Sequence, residues 1–454
     1  MDSYYIWNEG CQMNVADAQR LASALEKLGL HPAPTARQAS LVVLNTCVVR
    51  QSAEDKAANY LHALRPLKAA QPELVIGVMG CMVGLKPNEQ LEARFPWVDV
   101  FMPPSTPAPL LAFLHDRLGL DLDQAETARR FAVQDGELVL PAAQRGQLVS
   151  AYVPIVLGCS HACSFCVIPF RRGVERSRPL VEIVAEVRSL VPQGVKEVTL
   201  LGQIVDRYGQ DINCQLLTAA SADVATLRGK QTPLVGLLEE LELVEGLERI
   251  RFLTSHPNWM TDELLEAVAR LPKVCEHIEV PVQAGDDEVL ARMKRAYTAG
   301  DYRRLIEKIR CLIPGASIAT DIIVGFPGES QAQFQRTCEL LAELKLDVAH
   351  IAKYSPRPQT VSARTMQDDV PPKEKERRRK ALDELQAGIV GEINARLVGQ
   401  SVEVLVEDKQ KGRWRGRTRT NKLVFFEDER DWRGQLAHVT ITWAGPWSLI
   451  GQVD

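Results

Sequence analysis

The chain has 454 residues and a formal net charge of −4, long enough for two or three domains that each bury a core and too nearly neutral for charge alone to mark a nucleic-acid partner. No uninterrupted apolar run reaches the roughly 18 residues of a membrane span, and no basic leader with a small-residue cleavage site follows Met1. These features predict a cytoplasmic protein with no membrane partner. In that reducing compartment ten cysteines point to metal ligands, catalytic thiols or core residues before disulfides.

Residues 1 to about 125 alternate short apolar runs with helical periodicity. Tyr4–Trp7, Leu41–Leu44 and Leu74–Met79 read as strands, and Val15–Leu28 and Ala53–Leu67 as amphipathic helices. Strand–helix–strand alternation predicts a parallel sheet. Cys11, Cys47 and Cys81 each follow the carboxyl end of a strand, the edge where such sheets bind ligands. Thiols far apart in sequence then converge in space; the alternative is three ordinary core cysteines. Gly10 and Gly80 let the backbone turn tightly beside a bulky group.

A linker runs from the proline-rich 102–109 through a helix to the polar stretch 134–147. Six further strands are predicted at Tyr152–Leu157, Glu197–Leu201, Ile250–Leu253, His277–Val282, Ser317–Val324 and Val348–Tyr354. Helical patterns such as Val181–Leu190, Leu234–Val244, Asp262–Leu271 and Gln333–Leu344 lie between them. Six βα units suggest a partial (βα)6 barrel with its site at the carboxyl ends of the strands. Residues 216–231 break the pattern as an insertion. Just past the first strand stand Cys159, Cys163 and Cys166, a C-x3-C-x2-C triplet. Three thiolates at that spacing suit a cubane iron–sulfur cluster with one iron left open. Zinc is the structural alternative, but His161 is boxed between two of the cysteines and no second pair follows at zinc-ribbon spacing.

After a charged helix at Pro372–Leu397, whose run Lys373–Lys380 reads as solvent-exposed, Val402–Val406, Leu423–Phe426 and Ala437–Trp443 read as strands of a small β-barrel. The turn predicted between the first two, 408–422, holds seven Lys/Arg and one Asp. Arg413, Arg415, Arg417 and Arg419 alternate, sharing one face if extended, with Trp414 among them. A basic barrel face with an aromatic residue suits RNA; a solvated charge run is the plainer reading. Cys311 and Cys338 read as core, while Cys214 and Cys275 show no ligand spacing.

The triplet, with Phe165 before its last cysteine at the opening of a βα series, resembles radical S-adenosylmethionine (SAM) enzymes. The resemblance extends over nearly the whole chain to the methylthiotransferases, through Gly10-Cys-Gln-Met-Asn14, Asn45-Thr-Cys-Val-Val-Arg50, Gly80-Cys81, Arg172-Gly-Val-Glu-Arg-Ser-Arg-Pro179, Thr254-Ser-His-Pro257, Pro281-Val-Gln283 and Asp321-Ile-Ile-Val-Gly-Phe-Pro-Gly-Glu329. Within that family Gln12-Met13 and Leu200-Leu-Gly-Gln203 look like the MiaB-type branch, which modifies N6-isopentenyladenosine at tRNA position 37. Ile204, Ala284 and Gln359 depart from its usual residues, and none is a cysteine.

The resemblance implies an α/β chain of three domains: an amino-terminal parallel-sheet domain at 1–125, a radical SAM domain at 145–383 and a carboxyl-terminal TRAM domain at 384–454. It implies two [4Fe–4S] clusters, one on Cys159, Cys163 and Cys166 and a sulfur-handling one on Cys11, Cys47 and Cys81. One SAM would methylate sulfur at the second cluster, and another would give the 5′-deoxyadenosyl radical that activates the substrate C–H bond. Phe165 and Val167 would lie near the adenine of SAM, Gly202 and Gln203 near its methionyl end, and Ser255 and Gln283 in the pocket. Ser255 has the plainer reading of a cap on the helix near Thr261. Arg172, Arg176 and Arg178 would meet phosphates, the SAM carboxylate or solvent. The implied partners are a tRNA anticodon stem-loop, gripped by Arg413, Trp414, Arg415, Arg417 and Arg419, and a reducing protein such as flavodoxin or ferredoxin. Threonylcarbamoyladenosine in tRNA or a ribosomal protein is the alternative substrate, and a non-catalytic iron–sulfur electron carrier or RNA-binding scaffold the alternative class.

Overall fold

A computed structural model describes residues 1–86, 88–118, 137–211 and 232–454. The insertion expected at 216–231 and Cys214 lie outside the described residues. The chain divides into two compact units: Met1–Arg145 with Tyr152–His161 and Cys166–Gln193, and Gly146–Ala151 with Ala162–Phe165 and Gly194–Asp454.

In the first unit five parallel strands, β1 (Ser3–Asn8), β2 (His31–Pro32), β3 (Leu41–Thr46), β4 (Val75–Gly80) and β5 (Val100–Met102), lie in the order β2-β1-β3-β4-β5. Every residue of β3 and β4 is buried, because helices cover both faces of the sheet. Side chains alternate along β3. Val42 and Leu44 join Ala57, Leu61 and Leu64 of helix Gln51–Ala70, whereas Leu41 and Val43 join Leu21 and Leu25 of helix Gln12–Lys27. Strand β5, which ends at Met102 where the predicted linker begins, was not expected; three residues are too short for a periodic signal.

The strand predicted at Tyr152–Leu157 is two strands, β6 (Ser150–Pro154) and β7 (Val156–Leu157). Pro154 has no N–H to extend a ladder, and β7 instead pairs antiparallel with β8 (Arg176–Ser177).

In the second unit β9 (Glu197–Leu201) and β10 (Arg249–Phe252) are parallel, as are β11 (His277–Glu279), β12 (Ser317–Val324) and β13 (Val348–Lys353). β11 ends three residues earlier than predicted. Helices Asp287–Arg292 and Ala299–Leu312 separate it from β12, the second opened by a capping box between Thr298 and Asp301. Thr261, not Ser255, caps helix Asp262–Arg270.

Helix Pro372–Ala395 is not solvated along its whole basic run. Lys375 is buried against Asp368 and the Tyr354 carbonyl, and Arg378 pairs with buried Glu329 at 2.7 Å. Glu329 also accepts from the Gly325 amide, so the Asp321–Glu329 motif closes its own turn.

The chain ends in a closed barrel, β14-β15-β16-β18-β17, formed by β14 (Ser401–Gln410), β15 (Arg413–Thr418), β16 (Leu423–Phe426), β17 (Leu436–Ala444) and β18 (Leu449–Val453). The expected basic turn is mostly the hairpin β14–β15, whose tip is Lys411-Gly412. Its far end is fastened to the parallel strands of the same unit. Arg249 donates to the Arg417 carbonyl at 2.6 Å and to Glu403 at 2.7 Å. Arg251 donates to the carbonyls of Thr418 and Arg419 at 2.7 Å each and to buried Glu197 at 2.8 Å. Arg419 pairs with Glu276, and Lys422 with Asp347. Burial pushes His277 down to about 3, leaving it a neutral ring beside the Asn421 amide at 3.3 Å.

Candidate cluster and cofactor sites

Cys11, Cys47 and Cys81 stand on loops leaving β1, β3 and β4, which are neighbours in the sheet. Side-chain amides lock these loops. Asn14 accepts from the Cys11 amide at 3.3 Å and donates to Asn45 at 3.0 Å and to the Thr46 carbonyl at 3.1 Å. Asn45 in turn donates to Asn8 at 3.0 Å and to the Asn14 carbonyl at 2.7 Å. Thr46 receives the Cys81 amide on its carbonyl and the Met82 amide on its hydroxyl. Gly80 has φ +106°, and a Cβ there would collide with the Thr46 carbonyl; one on Gly10 would reach within 3.0 Å of Cys47 Cβ. The cradle closes only without side chains at these two points.

Cys11 begins helix Gln12–Lys27 as its N-cap. Cys47 is pushed up to about 11, mainly by burial, with the neighbouring Cys81 and Cys11 adding to it. Burial likewise raises Cys81, opposed by the Arg172 guanidinium. Thiols held this way give up their protons to a bound cation. Among the described residues no three His, Cys, Asp or Glu side chains meet at single-ion spacing. Three thiols on neighbouring strand-end loops are the donor chemistry that a cubane takes, each thiolate to a different iron.

The triplet occupies the loop after β7. Gly158 has φ +71°, and a Cβ there would strike the Val174 and Gly173 carbonyls. The Cys159 amide donates to the Gly173 carbonyl at 2.9 Å, and the Glu175 amide to Ser160 at 3.1 Å. Cys159 is buried, and Cys163 and Cys166 are partly exposed. Cys163 Sγ accepts from Arg295 at 3.2 Å. That guanidinium is buried, and its Nε donates to the Tyr297 hydroxyl, which donates to the Pro281 and Val282 carbonyls. Arg172 makes the corresponding contact with Cys81 at 3.3 Å. Sequence reasoning missed Arg295 altogether and left Arg172 open between ligand and solvent.

At the carboxyl ends of the second unit's strands two non-glycine residues have left-handed backbones, Thr254 (φ +67°) and Gln283 (φ +74°). Strain of this kind gathers at ligand sites. The Ser255 amide is tied to the Glu279 carbonyl and the Gln283 amide to that of Asp321, at 3.0 and 2.9 Å. The buried Ser255 hydroxyl has no hydrogen-bond partner among the described residues, which fits a polar ligand such as SAM. Gly202 is buried, and Gln203 and Phe165 are half-buried. Val167, expected beside the adenine, is 3% exposed in the core that contains Val48, Cys81, Met82 and Val83.

Arg413, Arg415 and Arg417 alternate along β15 with buried Trp414, Gly416 and Thr418 and so share the expected face, whereas Arg419 lies beyond the strand. Arg413 is exposed and pairs with Glu427. Arg415 pairs with Asp408, and Arg417 lies near Glu407. Arg419 is committed to Glu276 and to the Pro272 and Val274 carbonyls. Trp414 is 5% exposed in the barrel core: on a strand it must face opposite its arginine neighbours. Cys311 is exposed rather than core, and Cys338 only partly buried. Cys275 is buried.

Known proteins define the class and then the family. Residues 153–341 match the Radical SAM superfamily, 3–103 the Uncharacterized protein family UPF0004, and 395–453 the TRAM domain. The fold is similar to a radical S-adenosylmethionine methyltransferase, TsrM, from Kitasatospora setae, with TM-score 0.53 and 15% identity over 90% of this chain and 79% of that one. The matched stretch 153–341, which contains the C-x3-C-x2-C triplet, marks a radical SAM domain. The tRNA-2-methylthio-N(6)-dimethylallyladenosine synthase of Roseiflexus sp. is 47% identical over 99% of this chain and 89% of its own length. That of Chloroflexus aurantiacus is 46% identical over 99% and 91%. The chain belongs to the family of these synthases.

Glu279 sets a pH dependence at the strand ends. Burial, then proximity to Asp321, raise its carboxyl from 4.5 to about 7. Between those values the folded state keeps a proton that the unfolded chain has released, so stability falls as pH rises through this window. Glu279→Gln removes the penalty. In urea unfolding without ligands the variant should match the parent near pH 4 and exceed it by up to about 3 kcal/mol at pH 8. An equal difference at both pH values contradicts the assignment.

Proposed function

We propose that the protein is a radical SAM methylthiotransferase that converts N6-isopentenyladenosine at position 37 of tRNA to its 2-methylthio form. The observation that carries this reading is the pair of cysteine sets, each of three thiols, in loops just past strands. Cys159, Cys163 and Cys166 would hold one [4Fe–4S] cluster, and Cys11, Cys47 and Cys81 a second. When bound, the clusters and SAM supply the sulfur, the methyl group and the one-electron chemistry of the reaction. The chain's own groups bind and orient. Ser255 would give its unpartnered hydroxyl to SAM, with Gln283, Gly202, Gln203 and Phe165 nearby in the role the family resemblance assigns. Arg172 and Arg295 would hold negative charge at the sulfurs.

The domain division 1–125, 145–383 and 384–454 assigns the second cluster, the radical chemistry and RNA binding in turn. A flavodoxin or ferredoxin would supply electrons in the cytoplasm. No helix among the described residues is long and apolar enough to cross a membrane. An anticodon-loop base unstacks more cheaply than one in a helix, which suits a reaction at C2 of an adenine. Nucleoside mass spectrometry of tRNA from a host lacking its own enzyme tests this. Expression of the protein should convert accumulated isopentenyladenosine to the methylthio form. A mark on threonylcarbamoyladenosine or on a ribosomal protein would refute the substrate.

For the RNA grip, the exposed hairpin tip with Lys409, Lys411 and Arg413 is favoured over the committed Arg419. Replacing those three with Ala should weaken tRNA binding and lower the slope of log affinity against log salt by up to about 3. Arg419→Ala should instead lower the melting temperature with little change in slope. An unchanged slope in the tip variant removes the tip from the interface.

A further inference from the structure

We infer that Arg172 is a positioning residue through which the loop of one cysteine set fixes the charge balance of the other. The inference rests on the proposed second cluster at Cys11, Cys47 and Cys81. Arg172 ends the short helix Ile168–Arg172, which begins two residues after Cys166. Its side chain is 4% exposed. Nε donates to Cys81 Sγ at 3.3 Å, Nη1 to Ser105 Oγ at 3.1 Å, and Nη2 reaches Asp17 Oδ2 at 3.4 Å. Gly173, the next residue, gives its carbonyl to the Cys159 amide at 2.9 Å. Arg172 and Gly173 together therefore connect the backbone of one set to a sulfur of the other.

A buried guanidinium needs strong acceptors for its five donors. Asp17, 2% exposed on its side chain, offers only a long contact. Ser105 is neutral and is itself held at φ +57°, an unfavoured backbone for a serine. A neutral thiol is a weak acceptor, whereas a thiolate is a full counter-charge. A cluster-bound sulfur would supply the charged acceptor that Nε otherwise lacks in this enclosure. A purely structural arginine would be satisfied by carboxylate and carbonyl groups; this one spends Nε on sulfur.

A cluster on three thiolates is net negative and becomes more so on reduction, so nearby positive charge favours the reduced form. Removing that charge should lower the second cluster's reduction potential, and removing the opposing carboxylate should raise it. The test is an EPR-monitored redox titration of the reconstituted full-length protein, with iron content measured alongside. Arg172→Gln should shift the second cluster's reduction equilibrium at least tenfold towards the oxidised form, about 59 mV for one electron, and move the other cluster less. Asp17→Asn should shift it the opposite way, and Arg172→Lys should stay near the parent. If R172Q loses the second cluster while R172K keeps it at the parent's potential, charge is required and the inference stands. If both lose it alike, or if R172Q keeps it with an unchanged potential, the inference fails. A parent protein with no second cluster would instead refute the cluster assignment itself.

Discussion

Parallel strands all point the same way, and the candidate chemistry depends on that constraint. β1, β3 and β4 deliver their following residues to one edge, so cysteines 11, 47 and 81 meet without being near in sequence. The sheet brings the thiols to the same edge, while finer devices set their spacing. The Asn8–Asn45–Asn14 network fixes two of the loops, and the Thr46 hydroxyl and carbonyl hold the third. Gly80 admits the close approach to Thr46 that any side chain would block.

Buried arginines are the second recurring device. Arg172 and Arg295 each point at a cysteine sulfur, Arg249 and Arg251 at the barrel's carbonyls, and Arg378 at Glu329. Each is nearly enclosed. Arginine suits the task because its planar fork stays charged and reaches several acceptors in fixed directions. A lysine would offer one point charge to sites that present two or three acceptors. A chain with near-zero net charge thus keeps much of its electrostatic specificity inside, where water does not screen it.

The positions of the longer strands, and of the cysteines just past them, were legible in the sequence because apolar runs and helical periodicity are local signals. Glu197–Leu201 and Ser317–Val324 match strand for strand, and the family motifs named the same loops. Contacts set by distant partners were not legible. Arg419 reads as a free basic residue until Glu276, 143 residues away, is seen beside it. The inward turn of Arg172 has no local signature either, since a charged motif carries no direction. Trp414 is different: its alternation with arginines already placed it on the opposite face of a strand, and treating 408–422 as an open turn concealed that. The capping box at Thr298–Asp301 was likewise a readable start for a helix that the strand series overshadowed.

The most direct test is to count clusters in three proteins by iron analysis and Mössbauer spectroscopy: the parent, the Cys11/Cys47/Cys81→Ala variant and the Cys159/Cys163/Cys166→Ala variant. The account predicts two distinguishable cubane signals in the parent and one in each variant, with about half the parent's iron. Addition of SAM should perturb only the signal carried by Cys159, Cys163 and Cys166. A folded variant that loses all its iron, or a parent with a single cubane signal, would contradict the two-site account.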